Sequence, residues 1–112
     1  MGLRGNQRRA FLYVDDAVDA IVAAWDKGMG KGVIQIGPSE SHSIAEIAEK
    51  IVNISGKDIE ISYDNSKPEG DMDRTADWSK AKKILRWCPK VLIHDGLRST
   101  YEWSKKTLDG VP

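Results

Sequence analysis

Apolar and polar residues follow two different periods along the chain, and these periods predict both strands and helices. Runs of β-branched and aromatic residues predict strands at residues 9–14 and 33–37, and strict alternation predicts a third strand at residues 59–63. Residues 33–37 are apolar at nearly every position, which is typical of a strand that is covered on both faces. We therefore expect a small sheet of three strands.

The first two predicted helices have clear start signals. Asp15 and Asp16 follow the first strand, and a carboxylate at this place can accept the free N–H groups of a helix start. Ser43 and Glu46 have the spacing of a capping box at the start of the second helix, and Gly56 is placed to end that helix. The first helix also carries an apolar face, which consists of Val14, Val18, Ile21, Val22 and Trp25.

Two further helices are predicted in the second half of the chain. One covers residues 78–85 and stops before Pro89, because the residue preceding a proline disfavours the helical region. The other ends near Leu108, and a polar loop at residues 64–73 precedes both. The order β-α-β-α-β-α-α predicts an α/β fold in a single domain over residues 1–112, with a small mixed sheet and about four helices.

Length and charge narrow the classes of function. The chain has 112 residues, with 17 Lys plus Arg and 17 Asp plus Glu, so its formal net charge is zero. This length is too short for a cofactor-binding domain plus a separate substrate domain. Zero net charge disfavours nucleic acid and membrane surfaces as partners, because both attract proteins with a basic excess. The longest apolar run, residues 20–25, is too short to cross a bilayer.

Cysteine and histidine usage predicts neither a disulfide nor a metal site. Cys88 is the only cysteine, which excludes a disulfide within the chain and a thiolate-rich metal site. His42 and His94 have no second ligand at a metal-site spacing. The first residues show no signal peptide, so we expect a cytoplasmic location.

Two short motifs resemble the sequence motifs of cofactor-dependent enzymes, but the predicted elements around them do not match. Gly28, Gly30 and Gly32 follow a predicted helix and precede a predicted strand, which reverses the order that a dinucleotide fingerprint requires. Tyr101 and Lys105 have the spacing of a Tyr-x-x-x-Lys pair, but no dinucleotide motif precedes them. We interpret the glycines as a turn and the pair as chance, and we predict no catalytic and no cofactor-binding residue in this chain.

Two arginines that are far apart in sequence suggest an anion site. Arg9 stands at the start of the first predicted strand, and Arg74 closes the polar loop. A guanidinium presents a fixed fork of donors that fits phosphate oxygens. The two side chains can therefore clamp a diphosphate, although a solubilising charge is the more common role of an exposed arginine.

Five motifs stand in the same order as in a known enzyme family. They are G-x-Q-x-R-x-F-x-Y-V-D-D from Gly5, V-I-Q-I-G-P-S-E-S-H-S-I-A-E-I-A-E-K-I from Val33, P-E-G-D-M-D-R-T-A-D from Pro68, S-K-A-K-K-I-L-R-W-C-P from Ser79 and D-G-L-R-S-T-Y-E-W from Asp95. Together they resemble the C-terminal part of the NAD-dependent nucleotide-sugar epimerases and dehydratases, which are extended short-chain dehydrogenases. The third and fifth motifs resemble GDP-mannose 3,5-epimerases most.

The resemblance implies roles for three residues. Arg9 and Arg74 match the family's arginines that hold the diphosphate of the sugar nucleotide, and Gln7 matches a residue that lines the nucleotide site. The family's cofactor fingerprint and catalytic Tyr-x-x-x-Lys lie upstream of the matched part. We therefore expect a nucleotide-sugar-binding portion without its N-terminal Rossmann domain, catalytically incomplete alone, in which NAD belongs to the intact enzyme.

Two further expectations follow from the resemblance. The family's strand that matches residues 33–37 joins the Rossmann sheet, and its helix that matches residues 16–25 packs on the same domain. These apolar faces then need another cover, because large exposed apolar patches mark interfaces. The alternative hypothesis is therefore a non-enzymatic interaction module that forms a homo-oligomer, whereas a missing Rossmann half is the other candidate cover.

Overall fold

Four helices and a short two-stranded ribbon make up the part of the chain that the computed structural model describes, residues 5–64 and 75–109. The predicted α/β class with about four helices is confirmed. The elements in chain order are β1 (Arg8–Arg9), α1 (Val14–Lys27), β2 (His42–Ser43), α2 (Ile44–Ser55), α3 (Ser79–Leu85) and α4 (Ile93–Asp109).

The ribbon consists of β1 and β2, which pair antiparallel. Arg8 lies opposite Ser43, and Arg9 lies opposite His42. The strand predicted at residues 9–14 is thus displaced and much shorter. The reason is local: β2 ends at Ser43, which caps α2, and without a partner β1 cannot continue.

The strands predicted at residues 33–37 and 59–63 are wrong, since neither segment joins the sheet of the described residues. A strand needs a neighbour for its N–H and C=O groups, and neither segment pairs with β1 or β2. Side chains hold the first segment instead. Lys80 Nζ donates to the carbonyls of Lys31 and Val33, at 2.8 Å each. Val33 itself is 89% exposed.

The start of α2 satisfies its free N–H groups almost completely. Ile44 N donates to the carbonyl of Gln7 at 3.0 Å, and Ala45 N donates to the carbonyl of Gly5 at 2.9 Å. Glu46 N donates to Ser43 Oγ at 3.1 Å, while the Glu46 carboxylate accepts the Ser43 N–H at 3.0 Å. This is the predicted capping box, and it is confirmed. Residues 5–9 are thereby bound to the N-terminus of α2.

A small core forms between α1 and α3. Its buried residues come from both helices and from the segment after α3, and they are Ala20, Ala81, Leu85 and Trp87. The indole Nε1 of Trp87 donates to the carbonyl of Asp16 at 2.9 Å. The segment that interrupts the helical pattern before Pro89 therefore contributes to the core.

Asp16 does not cap α1, so the predicted cap is wrong. The helix begins earlier, at Val14, with Tyr13 at the N-cap position. The Asp16 side chain is 3% exposed. Its Oδ2 accepts the N–H groups of Lys90 and Val91, at 3.0 and 2.9 Å. The carboxylate thus ties α1 to the segment that leads into α4.

The apolar face of α1 is present as predicted, but the described residues leave it uncovered. The exposed fractions of its five side chains are 61% for Val14, 50% for Val18, 64% for Ile21, 62% for Val22 and 80% for Trp25. In residues 5–64 and 75–109, no helix has the length and apolar content of a membrane span.

Candidate functional site

Strand β1 gives two adjacent arginines different environments. Arg8 is half-buried, and its guanidinium makes three contacts. Its Nε donates to Ser41 Oγ at 3.0 Å, one terminal nitrogen donates to the Ser41 carbonyl at 2.8 Å, and the other donates to Glu46 Oε1 at 3.1 Å. All three branches of this side chain are thus engaged within the protein.

Arg9, the predicted phosphate ligand, lies next to it on the strand. Successive side chains of a strand leave on opposite faces, so Arg9 leaves β1 on the face opposite Arg8. One of its terminal nitrogens donates to the Arg8 carbonyl at 2.7 Å, and its cross-strand neighbour is His42. Gln7, two residues earlier, falls on the Arg9 side by the same alternation.

Gln7 carries an unsatisfied polar atom. Its Oε1 is buried and accepts no hydrogen bond from the described residues. An unpaired buried amide oxygen costs about 1–3 kcal/mol, so such atoms need a functional or structural reason. The structure thus brings Gln7 and Arg9 together on one short segment. Arg74, the third predicted ligand, lies outside the described residues.

The electrostatics around β2 depend on Glu46. The backbone N–H of Ser43 is the largest cause that lowers the pKa of this carboxyl, from 4.5 to about 2. Desolvation, the second-largest influence, raises the pKa of this carboxyl, whereas His42, the Ser43 hydroxyl and the charge of Arg8 each lower it by less. His42 lies between two carboxylates, with Nε2 3.1 Å from Glu40 Oε1 and Nδ1 3.5 Å from Glu46 Oε2.

Asp77 is the first acidic residue after position 74, and it lies just before α3 in the described chain. Its Oδ1 accepts the N–H of Ser79, the first residue of α3, at 3.0 Å. This hydrogen bond lowers the pKa of Asp77. The N-cap position of α3 is Trp78, which makes no side-chain cap hydrogen bond, so Asp77 binds the first N–H of the helix from one position further upstream.

Sequence reasoning missed two residues that shape the site. Arg8 contacts Glu46 across 38 positions, and no local motif signals that contact. Asp16 was recognised only as a helix-start carboxylate, although its acceptors serve a segment more than 70 residues away. Among the described residues, no group of three His, Cys, Asp or Glu side chains could hold a metal ion.

The comparisons with known proteins agree with this architecture. GDP-L-fucose synthase 1 from Arabidopsis thaliana is 36% identical over 104 residues, which are 93% of this chain and 32% of that protein. The UDP-glucose 4-epimerase from Thermotoga maritima, solved with UDP-glucose, is 35% identical with a TM-score of 0.84, over 93% of this chain and 33% of that one. The chain is homologous to a part of these nucleotide-sugar enzymes, and that part is about one third of the length of each. No family model matches it.

A third similar protein was solved with its cofactor bound. The UDP-glucuronic acid 4-epimerase from Bacillus cereus, in complex with UDP-glucuronic acid and NAD, is 36% identical with a TM-score of 0.82. The aligned part covers 92% of this chain and 33% of that one. The predicted relation to NAD-dependent nucleotide-sugar epimerases and dehydratases is thereby confirmed, for a chain that spans about a third of the length of these relatives.

Proposed function

We propose that this chain is the C-terminal, nucleotide-sugar-binding portion of an NAD-dependent epimerase or dehydratase. The observation that carries the proposal is its similarity, over 93% of its length, to an epimerase that was solved with UDP-glucose. The portion is a single domain, binds the diphosphate and supplies no catalytic residue. A cytoplasmic location, consistent with the single Cys88, is part of the proposal.

In this proposal the diphosphate lies between Arg9 and Arg74, and Gln7 lines the nucleotide. The resemblance selects Arg9, whereas Ser41 and Glu46 hold the Arg8 guanidinium. Arg9 leaves the strand on the other face and has the fork that phosphate oxygens accept.

The residues present do not fit a dinucleotide. Such a site needs the N-terminus of a helix directed at the pyrophosphate. Gly28 instead ends α1, and its N–H donates to the Ala24 carbonyl. Gly30 and Gly32 follow in the turn after that end. In the proposed function, hydride transfer therefore belongs to residues outside this chain.

The proposal also includes the base of the nucleotide. The motifs around Arg74 and Arg98 resemble GDP-mannose 3,5-epimerases, which favours a GDP-sugar. The names of the relatives include both GDP- and UDP-sugars. Titration with GDP-mannose and with UDP-glucose, under the same conditions, distinguishes the two bases.

Isothermal titration of the whole chain tests the clamp. We expect Arg9→Ala and Arg74→Ala each to weaken binding about 10- to 100-fold, because each removes a charge-assisted contact to phosphate. Arg98→Ala, which removes an exposed arginine of α4, is the matched control and should bind like the wild type. Equal affinities in wild type, Arg9→Ala and Arg74→Ala would exclude the clamp.

A second candidate function is self-association through α1. The observation that favours it is the uncovered apolar face of α1, on which Trp25 is 80% exposed. Two copies that bury these faces against each other remove apolar area from water and form a symmetric dimer. In this reading the chain is an interaction module, with a second copy as its partner.

Light scattering as a function of concentration tests self-association. We expect a dimer for the wild type and a monomer for Ile21→Glu, because a buried, unpaired carboxylate opposes assembly. Leu108→Glu, at an exposed apolar position near the end of α4, is the control and should remain dimeric. A wild-type monomer at the highest concentration measured would contradict the candidate.

A further inference from the structure

We propose that Arg8 is a positioning residue for the diphosphate site. It holds β1 against the N-terminus of α2, so that Arg9 and Gln7 are presented on the opposite face of the segment. This inference deepens the proposed function and rests on it. Its structural part, the effect of Arg8 on β1, can be measured without any ligand.

The contacts of Arg8 connect three parts of the fold. Its guanidinium binds both the hydroxyl and the carbonyl of Ser41, directly before β2, and the carboxylate of Glu46 in the first turn of α2. Glu46 in turn is held by the Ser43 N–H, which fixes its position on the helix. One side chain on β1 therefore fastens the strand to its partner and to α2.

The ribbon needs such a fastening because it is very short. Each strand has two residues, and β1 pairs with β2 at two positions. A two-stranded ribbon is marginal in water even at greater length. The flanking bond from Ile44 N to the Gln7 carbonyl fixes the chain before β1, and Arg8 adds side-chain contacts from β1 to Ser41 and Glu46.

The consequence for Arg9 follows from strand geometry. Adjacent side chains of a strand leave on opposite faces, so the position of Arg8 determines the face of Arg9. With Arg8 bound to Ser41 and Glu46, Arg9 is directed to the other face. Lysine at position 8 keeps the charge but lacks the fork that reaches both partners at once.

The experiment has one arm without ligand and one with ligand. In the first, NMR follows the cross-strand nuclear Overhauser contacts between Arg9 and His42 in wild type, Arg8→Ala, Arg8→Lys and Glu46→Gln. In the second, the same proteins are titrated with GDP-mannose and UDP-glucose at a temperature where circular dichroism shows them folded. Arg98→Ala, which also removes one arginine, is the control in both arms.

We expect Arg8→Ala to lose the contacts between Arg9 and His42 and to bind the nucleotide sugar about tenfold more weakly. Arg8→Lys should restore part of both readouts, and Arg98→Ala should change neither. Glu46→Gln keeps the shape of the side chain but loses its charge, so it should weaken both readouts less than Arg8→Ala. If Arg8→Ala does not fold, the positioning role is tested with Arg8→Lys and Glu46→Gln, by the same two readouts: the contacts between Arg9 and His42 and the affinity for the nucleotide sugar.

Retention of the contacts between Arg9 and His42 in Arg8→Ala would overturn the positioning role. Loss of these contacts with unchanged affinity would overturn it as well, because Arg8 would then be merely structural. If the wild type binds neither nucleotide sugar, the proposed function fails and the positioning role for that site fails with it. The ligand-free arm then still shows whether Arg8 orders β1, so the two failures are distinguishable.

Discussion

At the scale of single residues, three charged side chains of the described chain connect distant segments. Arg8 reaches Glu46, Asp16 reaches the backbone of Lys90 and Val91, and Lys80 reaches the carbonyl of Val33. None of these contacts is visible in a local motif, because both partners must be placed by the fold. The net charge of zero therefore conceals a set of specific connections.

Glu46 makes stability depend on pH. Its folded-state pKa is about 2, against an ordinary 4.5, because the Ser43 N–H stabilises the carboxylate. Its contribution is thus fully present above pH 4.5 and is lost as the pH falls towards 2. We expect the free energy of unfolding, measured by urea denaturation, to fall over this range in the wild type and to fall less in Glu46→Gln.

Asp77 provides a second source of this pH dependence. Its pKa is also lowered, by its hydrogen bond with Ser79, so Asp77→Asn should flatten the acidic part of the curve as well. The double variant should be flatter than either single one. An identical slope in wild type and Glu46→Gln would contradict the role of Glu46.

Arg86 adopts a conformation that suits glycine. It ends α3 with φ 57°, in the left-handed region. For a residue with a Cβ, this conformation costs about 1–2 kcal/mol. Glycine avoids that cost but loses about 0.5–1 kcal/mol of stability, because its unfolded chain has more conformational entropy. We expect Arg86→Gly to raise the free energy of unfolding by about 0.5–1 kcal/mol, measured by chemical denaturation.

The comparison variant is Arg98→Gly, in the middle of α4. It places the same glycine in a helix, where it should lower the free energy of unfolding by about 1 kcal/mol. A decrease in stability for Arg86→Gly would show that the arginine side chain has a compensating contact.

At the scale of elements, helices were predictable from the sequence and strands were not. The capping box at Ser43 and the apolar period of α1 are local signals, and both correspond to observed features. A strand, by contrast, exists only with a partner. Residues 33–37 have the composition of a buried strand, yet no described strand pairs with them.

Two separated arginines suggest an anion site, but only the resemblance selects Arg9 as one of its residues. Exposed arginines are common, and nothing local separates Arg9 from Arg8, which has the same side chain one position away. The structure separates them through the Ser41 and Glu46 contacts. The burial of the Gln7 side-chain oxygen was likewise invisible, because it depends on packing around residues 5–9.

At the scale of the whole molecule, the chain has a small core and a large uncovered apolar face. The core between α1 and α3 contains two alanines, one leucine and one tryptophan. The opposite side of α1 presents four aliphatic side chains and Trp25 to solvent. In a chain that spans about one third of its relatives, this face is the surface on which the proposed self-association rests.

The most direct test of the central claim compares GDP-mannose and UDP-glucose with guanosine and uridine in calorimetric titrations of the whole chain. The account predicts that the sugar nucleotides bind and that the nucleosides bind far more weakly, because the diphosphate supplies the charge that Arg9 and Arg74 recognise. It further predicts that Arg9→Ala removes most of this difference. Equal affinity for sugar nucleotides and nucleosides, or binding that Arg9→Ala leaves unchanged, would contradict it.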